Sequence, residues 1–238
     1  MTRSEHVVWH DIECGGYDAD LDLWLRLARE AAGPVLDIGA GAGRVALRLA
    51  AAGHEVTALD RDGALLATLR ERAECEGLHI ETVVADAAGF ELPGTYSLIA
   101  VPMQTLQLLD ERDGFFASAA RVLAPGGLLA AAIADALEAF DESAPLPFPD
   151  VGAEDGRQFL SQPVAVREVP GAVRIERIRQ IVEPGGERTS ADDVIELHTL
   201  SAESIAEEAA RHGLRAEDPL EVPATDEHVG STVVMLRG

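Results

Sequence analysis

The feature that most constrains this chain is a short apolar run that leads into a glycine-rich turn. Residues Val35 to Arg44 read V-L-D-I-G-A-G-A-G-R, and a helical pattern follows to Ala52. A strand that turns on glycines into a helix exposes backbone N–H groups at the helix N-terminus. The missing Cβ atoms also let a ligand approach the backbone closely. An ordinary turn packed with small residues would look the same, so residues elsewhere in the chain must decide between the two interpretations.

The chain from residue 34 to residue 135 alternates predicted strands with predicted helices. Strands are predicted at Val35–Ile38, His54–Leu59, Leu78–Ala85, Tyr96–Val101 and Leu128–Ala134. This alternation predicts a parallel, doubly wound sheet with right-handed crossovers. Ligands of such sheets lie beyond the carboxyl ends of the strands. Five residues are predicted at those ends, namely Gly39, Asp60, Asp86, Met103 and Asp135.

The pattern changes after the proline-rich stretch Ala144–Asp150. Antiparallel strands are predicted at Gln158–Val169, Ala172–Glu183 and near Asp193–Thr199, with a β-bulge near Arg177. A helix capped by Ser201 and a hairpin of Leu214–Val222 with Ser231–Leu236 follow. We therefore predict an α/β fold: a Rossmann-like doubly wound sheet of about seven strands, the last one antiparallel, with a small antiparallel β flap inserted after the fifth strand.

The length fits one large domain over residues 1–238. Its predicted parts are an N-terminal arm and helix (1–33), a cofactor-binding core (34–135), an inserted flap (140–200), and the last helix with the terminal hairpin (201–238).

Charge and cysteine content exclude several kinds of partner. The net charge of −23 argues against nucleic acid and anionic membranes, because both require a basic surface.

No apolar run reaches transmembrane length, and the N-terminus has no signal-peptide pattern. Cys14 and Cys75 lack metal-type spacing, so no metal is expected. We expect a cytoplasmic monomer or homodimer that acts on a small molecule.

Four motifs together point to one family. They are V-L-D-I-G-A-G-A-G-R, the strand end at Asp60, A-D-A at Ala85–Ala87, and V-L-A-P-G-G at Val122–Gly127. On these motifs the chain resembles the class I S-adenosylmethionine-dependent methyltransferases of the small-molecule type. The resemblance covers residues 17–135 and extends more loosely to the C-terminus. The family commonly has an Asp at the start of the fourth strand, where this chain has Tyr96-Ser97.

The resemblance implies S-adenosyl-L-methionine as cofactor and S-adenosyl-L-homocysteine as product, with in-line methyl transfer to O or N of a small-molecule acceptor. The implied cofactor-binding residues are Tyr17, Asp37, Gly39, Ala40, Gly41, Arg44, Asp60, Arg61, Asp86, Ala87, Pro102 and Met103. The candidate acceptor-binding residues are Trp9, Met103, Gln104, Gln107, Asp135 and Glu138. If the acceptor must lose a proton, the candidate bases are His228 first, then His198 and His10.

Two other functions remain open. The first is a nicotinamide-dependent oxidoreductase, although its G-x-G-x-x-G/A pattern would need a small residue where Arg44 stands. The second is a non-catalytic protein that binds S-adenosylmethionine. A comparison of cofactor binding separates the first from a methyltransferase, and the absence of methyl turnover would identify the second.

Overall fold

The alternating apolar segments form the sheet that their pattern predicts. The computed structural model describes residues 3–134, 137–141, 143, 145–225 and 228–238. Its helices are α1 (Glu5–Cys14), α2 (Leu21–Ala31), α3 (Arg44–Ala51), α4 (Gly63–Cys75), α5 (Asp113–Val122) and α6 (Ala202–Ala210), with a 3₁₀ helix at Thr105–Leu108. Its strands are β1 (Val35–Ile38), β2 (Val56–Asp60), β3 (Glu81–Val84), β4 (Tyr96–Val101), β5 (Leu123–Ile133), β6 (Asp150–Glu154), β7 (Arg157–Val169), β8 (Ala172–Val182), β9 (Arg188–His198), β10 (Arg215–Val222) and β11 (Ser231–Arg237).

Seven of these strands form one mixed sheet in the order β10-β11-β5-β4-β1-β2-β3. Strands β1 to β5 run parallel to one another, whereas β11 runs antiparallel to both β5 and β10. All four residues of β1 are buried, as expected for a central strand with helices on the sheet. This confirms the predicted Rossmann-like sheet of seven strands with an antiparallel last strand.

The described chain divides into two compact units. One consists of residues 18–136 and 200–238 and contains the seven-stranded sheet, and the other consists of residues 1–17 and 137–199. The prediction of a single methyltransferase domain over residues 1–238 stays a prediction. In the described ranges, no helix combines the length and the apolar character of a membrane span.

The second unit contains a four-stranded antiparallel sheet, in the order β6-β7-β8-β9, and α1. The predicted flap is therefore confirmed, but the prediction missed β6, which is short and contains glycine. It also missed α1, which packs on this sheet through Trp9 and Phe159, whose ring centroids lie 5.0 Å apart. The bulge lies between Pro163 and Ala165 of β7. It therefore sits on the strand opposite Arg177, where the irregularity was predicted.

Candidate functional site

The carboxyl ends of the parallel strands bring the predicted residues to one edge of the large sheet. Ile38 pairs with Leu59 and Asp60 with Val84, so that Gly39, Asp60 and Asp86 end neighbouring strands. Pro102 and Met103 follow β4 directly. The fifth predicted residue, Asp135, lies outside the described residues. The edge therefore joins four of the five predicted strand ends.

The turn between β10 and β11 reaches the same edge, because Thr232 of β11 pairs with Ile133 at the end of β5. His228 is exposed in this turn. Its backbone N–H donates to Thr225 Oγ1 at 2.9 Å, and its carbonyl accepts from the Thr225 N–H at 2.8 Å. His228, the first candidate base, thus lies at the same edge of the large sheet as the strand ends, but its role in catalysis stays a prediction.

The glycine turn differs from the expectation of free N–H groups. The N–H groups of Gly39 and Ala40 both donate to the Leu59 carbonyl, at 2.9 and 3.1 Å, and that of Gly43 donates to Ala40 at 2.9 Å. The Gly41 N–H donates to Asp60 Oδ2 at 2.8 Å. These four N–H groups are therefore already hydrogen-bonded within the protein. The turn therefore offers a ligand close approach to its backbone rather than a ring of open donors.

Gly39 is required for two independent reasons. Its φ is +73°, a left-handed conformation that residues with a Cβ atom adopt at a cost. A Cβ atom at this position would also lie 2.4 Å from Oγ1 of Thr105. Thr105 was not among the predicted site residues, because only the three-dimensional packing of the segment after β4 brings it to the turn.

Asp60 holds the turn closed through both carboxylate oxygens. Besides the Gly41 bond, Oδ1 accepts the N–H of Asp62 at 2.9 Å. Each carboxylate oxygen has two lone pairs, so both can accept a further bond from a ligand hydroxyl. The cap of α4 is Asp62, which accepts from the N–H groups of Ala64 and Leu65. Asp60 is therefore not the helix cap and remains available for the predicted ribose contact.

Asp37 is the most unusual group of the site. It is fully buried, and neither carboxylate oxygen accepts a hydrogen bond of normal geometry among the described residues. Burial raises the pKa of this carboxyl from 3.8 to about 7, although the positive charge of Arg44 and the backbone N–H of Ala46 act in the opposite direction. A buried carboxylate with such weak compensation is costly. The position therefore suits a ligand that brings a cation or N–H donors.

Arg44 is engaged by the protein. Its Nη2 atom lies 2.9 Å from Oδ2 of Asp20, which also accepts from Trp24 Nε1 at 2.8 Å. Asp20 precedes α2, but its side chain does not cap that helix. The ion pair instead ties the start of α2 to the start of α3. The predicted contact of Arg44 with the cofactor stays a prediction.

Gln107, a predicted acceptor contact, bonds to the end of β5 through its side-chain amide. Its Nε2 donates to the Ala134 carbonyl at 3.1 Å, and its Oε1 accepts the Ala134 N–H at 2.8 Å. The residue is only 2% exposed. Both groups of the amide are thus bonded to backbone and hold the segment in place, and the contact of Gln107 with an acceptor stays a prediction. Met103 and Gln104 are half-buried in the same segment.

The remaining predicted cofactor residues have varied surroundings. The exposed carboxylate of Asp86 accepts the Ala88 N–H at 2.8 Å, which closes the turn after β3. Ala87 is half-buried, Arg61 is exposed and Tyr17 is only 8% exposed. Their contacts with a cofactor stay predictions.

Five predicted residues belong to the unit with the small sheet, namely Trp9, His10, Tyr17, Glu138 and His198. Trp9 is buried against Phe159, and the guanidinium carbon of Arg179 lies 5.5 Å from its ring centroid. Arg179 also donates to both carboxylate oxygens of Glu13. Trp9 is therefore a core residue of that unit, and its predicted contact with an acceptor stays a prediction.

Comparisons with known proteins agree with the geometry of the large sheet. Residues 35–127 match the methyltransferase domain family. A protein-L-isoaspartate O-methyltransferase of Stenotrophomonas maltophilia is 36% identical over 94 residues, which are 39% of this chain and 42% of that protein. The chain thus spans less than half of the length of this curated relative.

The solved structures that match include two that cover the whole chain. CalS10, an amino pentose methyltransferase of Micromonospora echinaspora, is 18% identical with a TM-score of 0.72, and the match covers 100% of this chain and 98% of that one. The sugar N-methyltransferase KedS8 of Streptoalloteichus is 17% identical with a TM-score of 0.74, covering 100% of this chain and 94% of that one. At this level of identity, the two structures show a shared fold.

Proposed function

We propose that the chain, whose residues 35–127 match the methyltransferase domain family, is a class I S-adenosylmethionine-dependent methyltransferase that transfers a methyl group to an amine or hydroxyl of a small-molecule acceptor. The observation that carries this proposal is Asp37. Its buried carboxylate lies in the strand that leads into the glycine turn and accepts no hydrogen bond of normal geometry among the described residues. The ammonium group of the methionine moiety would supply a positive charge and strong N–H donors to this carboxylate.

The glycine turn favours this cofactor over a dinucleotide. A pyrophosphate is held by open N–H groups at such a turn. Here the N–H groups of Gly39, Ala40, Gly41 and Gly43 are bonded within the protein. S-adenosylmethionine has no phosphate and does not need them. The turn therefore supports the methyltransferase proposal against the nicotinamide-dependent oxidoreductase.

The residues of this edge hold and orient the cofactor in our proposal. Asp37 binds the ammonium group, Asp60 binds the ribose hydroxyls, and Asp86 accepts from the adenine amino group. When bound, the cofactor supplies an electron-poor methyl group on a sulfonium, which a nucleophile displaces in line without a metal. The chain's own task is to align the two reactants and to exclude water.

We favour an amine of a sugar-like molecule as the acceptor. CalS10 is described as an amino pentose methyltransferase, and KedS8 as a sugar N-methyltransferase. The net charge of −23 would also attract a cationic acceptor. A protonated amine must lose its proton before it can attack, and His228 is our first candidate for this base, followed by His198 and His10. Glu138 and Asp135 are candidates for binding the cation. Cys14 and Cys75 are not joined by a disulfide, and we propose a cytoplasmic location.

An acceptor screen tests the proposed reaction. Purified protein is incubated with S-adenosylmethionine and with three acceptor sets: nucleotide-linked amino sugars, the matched hydroxy sugars, and a peptide that contains isoaspartate. Mass spectrometry detects added methyl groups. We expect methylation within the amino-sugar set and a loss of roughly tenfold or more in rate for His228→Ala, in line with the loss of a general base. Methylation of the isoaspartyl peptide alone would contradict the small-molecule acceptor, and cofactor binding without any turnover would identify a non-catalytic protein.

A further inference from the structure

The segment that follows β4 is held in an unusual backbone conformation. Met103 has a φ of +53°, and a left-handed conformation costs a residue with a side chain about 1 kcal/mol or more. Such a residue keeps this conformation only when its surroundings impose it. The segment from Pro102 to Leu108 must therefore be fixed by contacts with the rest of the sheet edge.

Thr105 supplies one of these contacts. Its hydroxyl donates to the Pro102 carbonyl at 3.1 Å, which closes the segment on itself. The same side chain lies against Gly39, where even a single added Cβ atom would be 2.4 Å from Oγ1. Thr105 therefore fixes the segment after β4 against the glycine turn after β1.

Gln107 supplies the second contact, at the end of β5. The parallel pairing of β4 with β5 ends with Val101 and Ala131. Beyond that pair, β4 no longer bonds to β5 within the described residues. The amide of Gln107 instead binds both the N–H and the carbonyl of Ala134, as a neighbouring strand would. Ala134 and Gln107 are 4% and 2% exposed, so loss of the amide would leave two buried backbone groups unpaired.

We infer that Gln107 is a positioning residue for methyl transfer: it locks the Pro102–Leu108 segment between three strand ends, so that Met103 and Gln104 align the acceptor with the donor methyl. This inference rests on the proposed function. It does not require Gln107 to touch either reactant, because the residue is only 2% exposed and its amide binds both backbone groups of Ala134. A shift of the segment by about 1 Å would be enough to lower the rate strongly.

The test compares two cofactor analogues and needs no acceptor. S-adenosylhomocysteine lacks the transferred group, whereas sinefungin has an amine-bearing carbon in place of the sulfur, so that its amine stands where the methyl group would be. Calorimetry gives the Kd of each analogue for the wild type and for Gln107→Leu. We expect Gln107→Leu to change the Kd for S-adenosylhomocysteine by less than about threefold, but the ratio of the two Kd values by about fivefold or more.

Two further variants make the result specific. Leu49→Ala removes a fully buried side chain in the last turn of α3, far along the chain from the segment, and should lower the Tm without changing the ratio. Gln107→Glu, as a buried neutral acid, can still donate to the Ala134 carbonyl and accept its N–H, and should keep the ratio near that of the wild type. If Gln107→Leu does not fold, Gln107→Ala takes its place in the comparison.

The outcomes separate the two proposals. If Gln107→Leu (or Gln107→Ala) still binds S-adenosylhomocysteine and the ratio of the two Kd values is unchanged, the positioning role alone is overturned. A wild type that binds neither analogue overturns the proposed function, and the positioning role fails with it.

Discussion

Asp37→Asn is expected to stabilise the protein at pH 8 and, in the same variant, to abolish measurable binding of S-adenosylhomocysteine. At this pH the wild-type carboxyl, whose pKa burial raises to about 7, carries a buried charge that accepts no hydrogen bond of normal geometry from the described residues. The neutral amide of Asn removes that charge and keeps the shape of the side chain. We expect a gain of roughly 1–3 kcal/mol, or a few degrees in Tm.

The pH dependence of stability follows from the direction of the shift. The folded protein holds the Asp37 proton more tightly than the unfolded chain, whose carboxyl titrates near 3.8. The contribution of this group to the unfolding free energy therefore falls as pH rises from about 4 to about 7, and levels off above that range. Asp37→Asn should lack this slope, whereas Glu74→Gln, which changes an exposed acid on α4, should retain it.

The same carboxyl should make cofactor binding depend on pH in the opposite direction. The ammonium group of the ligand needs the charged form, so affinity for S-adenosylhomocysteine should be about tenfold weaker at pH 6 than at pH 8. Thermal unfolding and calorimetry at both values measure the two effects. An Asn variant that binds the ligand as well as the wild type would contradict the role of Asp37.

Gly39→Ala is expected to have the second large effect. The new methyl group meets both the left-handed φ of +73° and the side chain of Thr105. We expect a loss of roughly 2–4 kcal/mol in unfolding free energy, together with the loss of S-adenosylhomocysteine binding, because the turn must move.

Gly53→Ala is the matched control. Gly53 has a φ of +89°, but a Cβ atom there would meet nothing within 4 Å. This variant therefore measures the backbone strain alone, about 1 kcal/mol, and should bind the ligand normally. The double variant Gly39→Ala with Thr105→Gly should recover part of the stability. Equal losses for Gly39→Ala and Gly53→Ala would show that the contact with Thr105 is unimportant.

The large sheet was predictable because its signals are local. The apolar runs of β1 and β2 end at Gly39 and Asp60, and the alternation of strands with helices determines that the strand ends meet at one edge. Gly39, Asp60 and Asp86 were placed correctly for this reason. The capping of α6 by Ser201 was likewise predictable, and its hydroxyl accepts the Ser204 N–H.

The contacts that complete the site depend on residues far apart in sequence. Gln107 bonds to Ala134, 27 positions later, and Asp20 pairs with Arg44, 24 positions later. Such pairs have no periodicity or spacing that a single sequence displays. The acceptors of the N–H groups in the glycine turn could not be predicted for the same reason. They lie on Leu59 and Asp60, which belong to the next strand.

The most direct test of the account is a calorimetric titration of S-adenosylhomocysteine and of NAD into the wild type, Asp60→Asn and Asp60→Ala. Asp60→Ala removes the acceptor of the Gly41 and Asp62 N–H groups and the proposed partner of the ribose, whereas Asn keeps one oxygen. We predict that the wild type binds S-adenosylhomocysteine and not NAD. Asp60→Asn should weaken the binding of S-adenosylhomocysteine, and Asp60→Ala should weaken it by about a hundredfold or more. Binding of NAD in place of S-adenosylhomocysteine by the wild type would contradict the account.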